Sequence, residues 1–309
     1  MNRVTFSSKY RWSKIIKDNW RLYTLMLPAL IWLVVFMYAP MYGVLIAFKD
    51  YNAKLGILNS PWAGMKYFQQ FFSTNIASTV IKNTIVLSVY SLIFSFPIPI
   101  IFALLLNQLR SIKYKKFVQT VSYAPYFISN VVVVSILAVI LAPGGGFVNT
   151  IIQALGHEPV LFMSRPEYFR PLYIISGIWQ SMGFNAIIYI AALAGISPEY
   201  HEAAIIDGAT KLRRIMHIDL PLILPTIIIM LILAIGNILT IGYEKVYLMQ
   251  NGMNLSVSEI ISTYVYKSGL MNAQYSFATA VGLFNSTVNF ILLVCANYIT
   301  KKLADISIF

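Results

Sequence analysis

An all-α polytopic membrane protein with six transmembrane helices and both termini cytoplasmic is predicted by three features of the sequence. First, 58% of the 309 residues are hydrophobic, 11% are charged and the mean hydropathy is +0.71. A soluble domain cannot hide that much apolar surface. Second, apolar runs at about residues 23–48, 83–106, 118–142, 172–195, 222–241 and 277–299 each reach the roughly 20 residues a helix needs to cross a bilayer. Third, 15 of the 23 Lys and Arg residues lie in the N-terminus, 107–117, 196–221 and 300–309, although the alternating loops are longer in total. That bias assigns these four segments to the cytoplasm. It also accounts for the net charge of +12 without a nucleic-acid partner.

In chain order, residues 1–22 form a cytoplasmic or interfacial segment with six Lys/Arg, in which Trp12, Ile16 and Trp20 recur as on a helix lying on a membrane surface. The run after it is long enough to span, which argues against a cleaved signal peptide. Residues 23–77 hold the first span and an external segment punctuated by Lys49-Asp50-Tyr51-Asn52 and Ser60-Pro61-Trp62-Ala63-Gly64. Residues 78–300 hold a core of five spans, and 301–309 a cytoplasmic tail. Pro143-Gly144-Gly145-Gly146 reads as a hinge before a short surface helix, since no Lys-Ser or Lys-Thr pair follows to make a phosphate loop. Cys295 is the single cysteine and is expected to be inert packing.

The chemistry of the spans is uncharged. None of the six runs contains Asp, Glu, Lys, Arg or His, which weighs against proton- or sodium-coupled transport. No Gly-Lys dipeptide occurs, so the chain has no Walker A loop. His157, His201 and His217 lack zinc-ligand spacing, and no serine sits in a nucleophile elbow, so an enzyme is disfavoured. Asn130, Gln180, Asn185, Asn237, Asn285 and Asn289, with Trp179, Tyr126 and Phe184, are candidates for a substrate path. Neutral amides and aromatic faces suit sugar hydroxyls and pyranose rings, although such amides also simply tie helices together.

A polar island lies between the fourth and fifth runs. Ser197-Pro198-Glu199 supplies an N-cap residue, a first-position proline and a first-turn acid, predicting a helix to about Ile206. Gly208 can turn the chain, and Asp207 is expected to cap a second helix ending before Leu220-Pro221. Within it stand Glu202-Ala203-Ala204, Gly208 after three residues and, nine residues further, Ile218-Asp219-Leu220-Pro221.

This pattern resembles the EAA loop of ABC-importer permeases, and Asp207-Gly208-Ala209 matches the variant typical of sugar uptake. Ile215 departs from the phenylalanine common there. Leu27-Pro28-Ala29, Pro40-Met41-Tyr42-Gly43, Ala47-Phe48-Lys49-Asp50-Tyr51, Ile261-Ser262-Thr263-Tyr264 and Tyr275-Ser276-Phe277-Ala278 are similar to the LplB-like branch of carbohydrate permeases. The resemblance implies a type I importer permease fold for residues 78–300. It implies ATPase coupling through Glu202, Ala203, Ala204, Asp207, Gly208, Ala209, Ile218, Leu220 and Pro221 in the hairpin 197–221. It further implies a second, different permease chain, two ATP-binding subunits that hold ATP and magnesium, and an extracytoplasmic solute-binding protein. The expected cargo is an oligosaccharide from polysaccharide breakdown, uronate-containing ones included. No cofactor is expected in this chain, membrane lipid surrounds it, and an ion-coupled carrier or channel is the alternative.

Overall fold

The computed structural model describes residues 17–304, so the surface helix expected around Trp12 and Ile16 and the end of the tail 301–309 lie outside the described residues. The described regular structure is helical, apart from one antiparallel bridge between Lys49 and Trp62. Five helices are long and apolar enough to span: α1 (Trp20–Phe48), α3 (Asn75–Asn107), α7 (Pro166–Ala194), α9 (Lys211–Gly236) and α12 (Tyr275–Ala304). Between them lie α2 (Lys66–Ser73), α4 (Ile112–Phe127), α5 (Asn130–Ile140), α6 (Phe147–Ala154), α8 (Pro198–Ile206), α10 (Tyr243–Met249) and α11 (Ile261–Tyr266).

The run expected as one straight span at 118–142 is instead α4 and α5, bent by 98°. Ser129 is extended, with φ −65° and ψ 153°, and its hydroxyl accepts from Val132 N–H at 3.4 Å to cap α5. Hydropathy is continuous across the bend, but the helix is not. Counting the bent pair as one crossing gives six spans.

The second difference concerns the fifth run. Its helix begins at Lys211, not near Leu222, and ends at Gly236. A widened turn over Ile215–Asp219, in which Leu220 N–H reaches the Ile215 carbonyl, precedes Pro221. Pro221 has no N–H to give to the preceding turn, and the widened turn lets the helix continue through it.

Three apolar clusters hold the helices together. One joins Ile100, Ala103 and Leu104 of α3 to Ala186, Tyr189 and Leu193 of α7 and Ile223 of α9, with Ile215 and Leu220 packed against it. Another gathers Leu87, Val134, Phe169, Val246 and Met249, so α10 is wedged among α3, α5 and α7. The third packs Phe71 of α2 and Val80 of α3 on Phe277 and Val281 of α12. Helix α7 approaches α4 so closely that a Cβ at Gly183 would stand 2.2 Å from the Ser122 carbonyl oxygen, a contact only glycine permits.

By contrast, α1 is exposed along most of its length and packs through Tyr42–Phe48 against α12, with Ala47 buried. Its apolar surface requires lipid or a neighbouring chain. Cys295 is exposed on α12 rather than packed in the interior.

Candidate functional site: a helical hairpin and an intramembrane cavity

The hairpin is built by its own backbone. Helix α8 opens with Ser197 at the N-cap position, although the serine side chain makes no capping bond; Pro198 and Glu199 occupy the first turn. At its end Gly208 N–H donates to the Ile205 carbonyl at 3.0 Å and Ala209 N–H to the Ala204 carbonyl at 2.8 Å. These two bonds close a Schellman turn, whose C′ residue must be left-handed. Gly208 takes φ +72° there. Asp207 is the C-cap of α8 and not the cap of the next helix. That cap is Thr210, whose Oγ1 accepts from Arg213 N–H at 3.4 Å. Gly208-Ala209 takes up the turn, so the extended residue that starts α9 falls three positions later than expected.

The turn exposes an unusual surface. Glu202, Ala203, Asp207 and Gly208 are exposed, Ala204 and Ala209 half-buried, and Glu202 has no ion-pair partner among the described residues. Ile205, Leu212 and Met216 are exposed as well, and Ile206 is 86% exposed. The result is a small exposed apolar patch beside the Glu202 carboxylate, outside the apolar core of the spans.

The hairpin is also anchored inward. Asp219 is fully buried; Gln108 at the end of α3 donates from Nε2 to its Oδ2 at 3.0 Å, while Oδ1 stands 3.2 Å from Nε2 of His201 on α8. One carboxylate thus joins both arms of the hairpin to α3. Ile218 and Leu220 are half-buried beside it, and Pro221 is exposed.

The second feature is a cavity of about 510 Å³ among α3, α7 and α9. Ser88, Ser91 and Ser95 line it from one face of α3, because positions three and four apart in a helix share a face. Asn185, Tyr189, Asn237 and Thr240 complete its polar wall, while Met230, Leu233 and Ile238 supply apolar surface. Next to it lies a chamber of about 240 Å³, which shares Ser91, Ser95 and Tyr173 with the larger cavity and adds Gln180, Ser181 and Lys245.

Of the residues expected on a substrate path, Asn185 and Asn237 therefore meet in the large cavity and Gln180 reaches the chamber. The others stand elsewhere. Asn285 Nδ2 donates to the Leu239 carbonyl at 3.3 Å, and Asn289 takes Leu239 N–H at 3.0 Å and donates to Thr240 Oγ1 at 2.9 Å. These two bind the non-helical end of the fifth run to α12. Asn130 donates to Glu244 at 2.6 Å, Trp179 is exposed, and Tyr126 stacks on Phe184 with centroids 3.8 Å apart. The serine stripe of α3 was legible from its spacing; Lys245 carried no signal beyond being a charge in a loop.

The fold and these two features describe a membrane permease: long apolar helices around a polar cavity, with a shaped, exposed hairpin outside the spans. Residues 95–305 match the model of the binding-protein-dependent transport system inner membrane component family, and the chain belongs to that family. Protein LplB of Bacillus subtilis is 46% identical over 300 residues, covering 97% of this chain and 94% of that protein. The polygalacturonan/rhamnogalacturonan transport system permease protein YteP of the same organism is 45% identical over 296 residues, covering 96% and 92%. A crystal structure of a bacterial ABC transporter importing the acidic polysaccharide alginate contains a chain that superposes with a TM-score of 0.88 at 40% identity, covering 95% of this chain and 99% of that one. The same transporter in complex with an alginate pentasaccharide-bound periplasmic protein gives 0.87 at 39% identity, covering 96% and 99%. The chain is thus a multi-pass membrane permease subunit of a bacterial ABC importer, and ATP hydrolysis belongs to a separate subunit.

Proposed function

We propose that this chain forms one half of the permease pair of an ATP-driven importer of oligosaccharides released from polysaccharides. The observation that carries it is the hairpin. Its Schellman turn holds Ala203, Ala204, Gly208 and Ala209 low, and its exposed Ile206 and unpaired Glu202 offer an apolar and a charged contact to an ATP-binding subunit. Asp207, Ile218, Leu220 and Pro221 shape the same surface and its return into the membrane. Both termini and the hairpin face the cytoplasm, where two ATP-binding subunits take ATP and magnesium. A solute-binding protein delivers the sugar from outside to a second, different permease chain and this one.

Cargo passes along the cavity of Ser88, Ser91, Ser95, Asn185 and Asn237. Neutral hydroxyl and amide groups suit sugar hydroxyls, and hydrogen bonds to several weak partners allow the cargo to leave again. The names of the relatives and of the similar transporter support a saccharide cargo. An ion-coupled carrier is disfavoured because the cavity lining holds no carboxylate or histidine.

The test is reconstitution. The purified chain alone should hydrolyse no ATP, while co-assembly with its second permease, ATPases and loaded binding protein should give ATP-dependent oligosaccharide uptake. Appreciable ATP turnover by the chain alone would overturn the assignment.

A further inference from the structure

Lys245 sits uneasily in its surroundings. It is 7% exposed, and its Nζ has neither a hydrogen-bond partner nor a counter-ion among the described residues. The ammonium lies 5.3 Å from the centroid of the Tyr173 ring and beside Gly177, where a Cβ would be 3.7 Å from it. Its neighbour Glu244 is turned away, accepting from Asn130. Lys267, in the same external segment, shows the ordinary solution: it is paired with Glu259 at 2.5 Å. A buried cation facing only a ring and a glycine is poorly compensated. Burial pushes its pKa down to about 8, which leaves it mostly protonated at neutral pH.

The position of Lys245 suggests what the charge is for. It lines the 240 Å³ chamber together with Gln180 and Ser181, and that chamber meets the large cavity at Ser91, Ser95 and Tyr173. Hydroxyls and amides there can hold sugar hydroxyls, but they cannot neutralise an ammonium. A lysine stem is flexible enough to swing its charge from the Tyr173 ring toward a guest in the chamber. We propose that the Lys245 ammonium receives a carboxylate of a uronate-containing cargo and so is the residue of this chain that reads the cargo's charge. This rests on the sugar-importer function above and adds the residue that selects for an acidic cargo. The pairing is a charge-assisted hydrogen bond formed away from bulk water, and it discriminates against neutral chains by leaving the cation uncompensated.

The experiment uses the complete importer in proteoliposomes with saturating binding protein, and compares the parent with Lys245→Met and Lys245→Arg. The probes are trisaccharides of galacturonate and of mannuronate and their carboxyl-reduced, neutral counterparts. The parent should import at least one acidic trisaccharide. Lys245→Met should lower that uptake about tenfold or more, with all subunits retained and thermal stability no lower than the parent, whereas Lys245→Arg should stay within about threefold. Any neutral trisaccharide that is carried should move equally in parent and Lys245→Met. Parental uptake of the acid by Lys245→Met would overturn the proposal. So would import of neutral trisaccharides alone, or loss of the second permease from Lys245→Met, which would assign the ammonium to a subunit contact. Those three results leave sugar import standing; ATP-dependent uptake of no saccharide by the parent would remove both.

Discussion

Gly208 gives the sharpest quantitative handle on the hairpin. Its φ of +72° is left-handed, and a Cβ built there meets nothing within 4 Å. The cost of a side chain is therefore almost wholly backbone strain, with no clash against the membrane helices. For alanine that strain is about 1 kcal/mol, for asparagine less, and for a β-branched residue more. Since about 1.4 kcal/mol is a factor of ten in an equilibrium, Gly208→Ala should depopulate the docked turn about fivefold and Gly208→Val tenfold or more. Coupled uptake and retention of the ATP-binding subunit on co-purification should fall in the order Gly, Asn, Ala, Val. The thermal midpoint of the isolated membrane chain should not move with them. Normal retention and uptake in Gly208→Val would refute the docking role; a matching loss of stability in the isolated chain would show that the turn serves the fold instead.

Other perturbations separate the roles further. Glu202→Ala removes one exposed charged contact and should weaken ATPase retention less than Gly208→Val, read by the same co-purification. Asp219→Ala removes the hydrogen bond from Gln108 and the ion-pair contact with His201, both half-buried, so at about 1 kcal/mol each it should make the 197–221 hairpin more sensitive to added protease. Asn185→Ala or Asn237→Ala should reduce uptake in an intact complex, whereas Asn285→Ala or Asn289→Ala should lower the thermal midpoint first, because those side chains tie α12 to Leu239 and Thr240. Lys245 is charged in both folded and unfolded chains below pH 8, so the burial penalty is then present in full, on the order of 3 kcal/mol. Between about 8 and its ordinary 10.5 the folded chain releases the proton first, so parental stability should rise toward that of Lys245→Met as pH rises through this window, measured by thermal unfolding in detergent.

Much of this architecture was written in hydropathy and punctuation. Long apolar runs marked α1 and α12, and Pro198 with Gly208 bracketed α8, because these residues constrain the backbone directly. The breaks were harder to see. Ile128 and Ser129 are unremarkable within an apolar run, yet both are extended and break the helix between α4 and α5. Pro221 reads as a helix stop, yet the widened turn before it carries α9 through. In the cavity, amides are conspicuous because they are large and polar, while the stripe of Ser88, Ser91 and Ser95 shows only in its three- and four-residue spacing. The pairing of Asn285 and Asn289 with a chain segment some 46 to 50 residues away depends on tertiary packing that no local pattern encodes. Lys245 was invisible for the same reason: a loop lysine counts toward topology until the fold buries it.

In the proposed function, ATP hydrolysed by another subunit and transmitted through the 197–221 hairpin moves a sugar through this chain. Uptake of radiolabelled oligosaccharide into proteoliposomes of the complete importer, with ATP inside and proton and sodium gradients collapsed by ionophores, tests it most directly. Uptake should continue with ATP, stop without it, and stop with ATP when the parent chain is replaced by Gly208→Val. Uptake that needs an ion gradient, or that proceeds without ATP, would overturn ATP coupling through this chain.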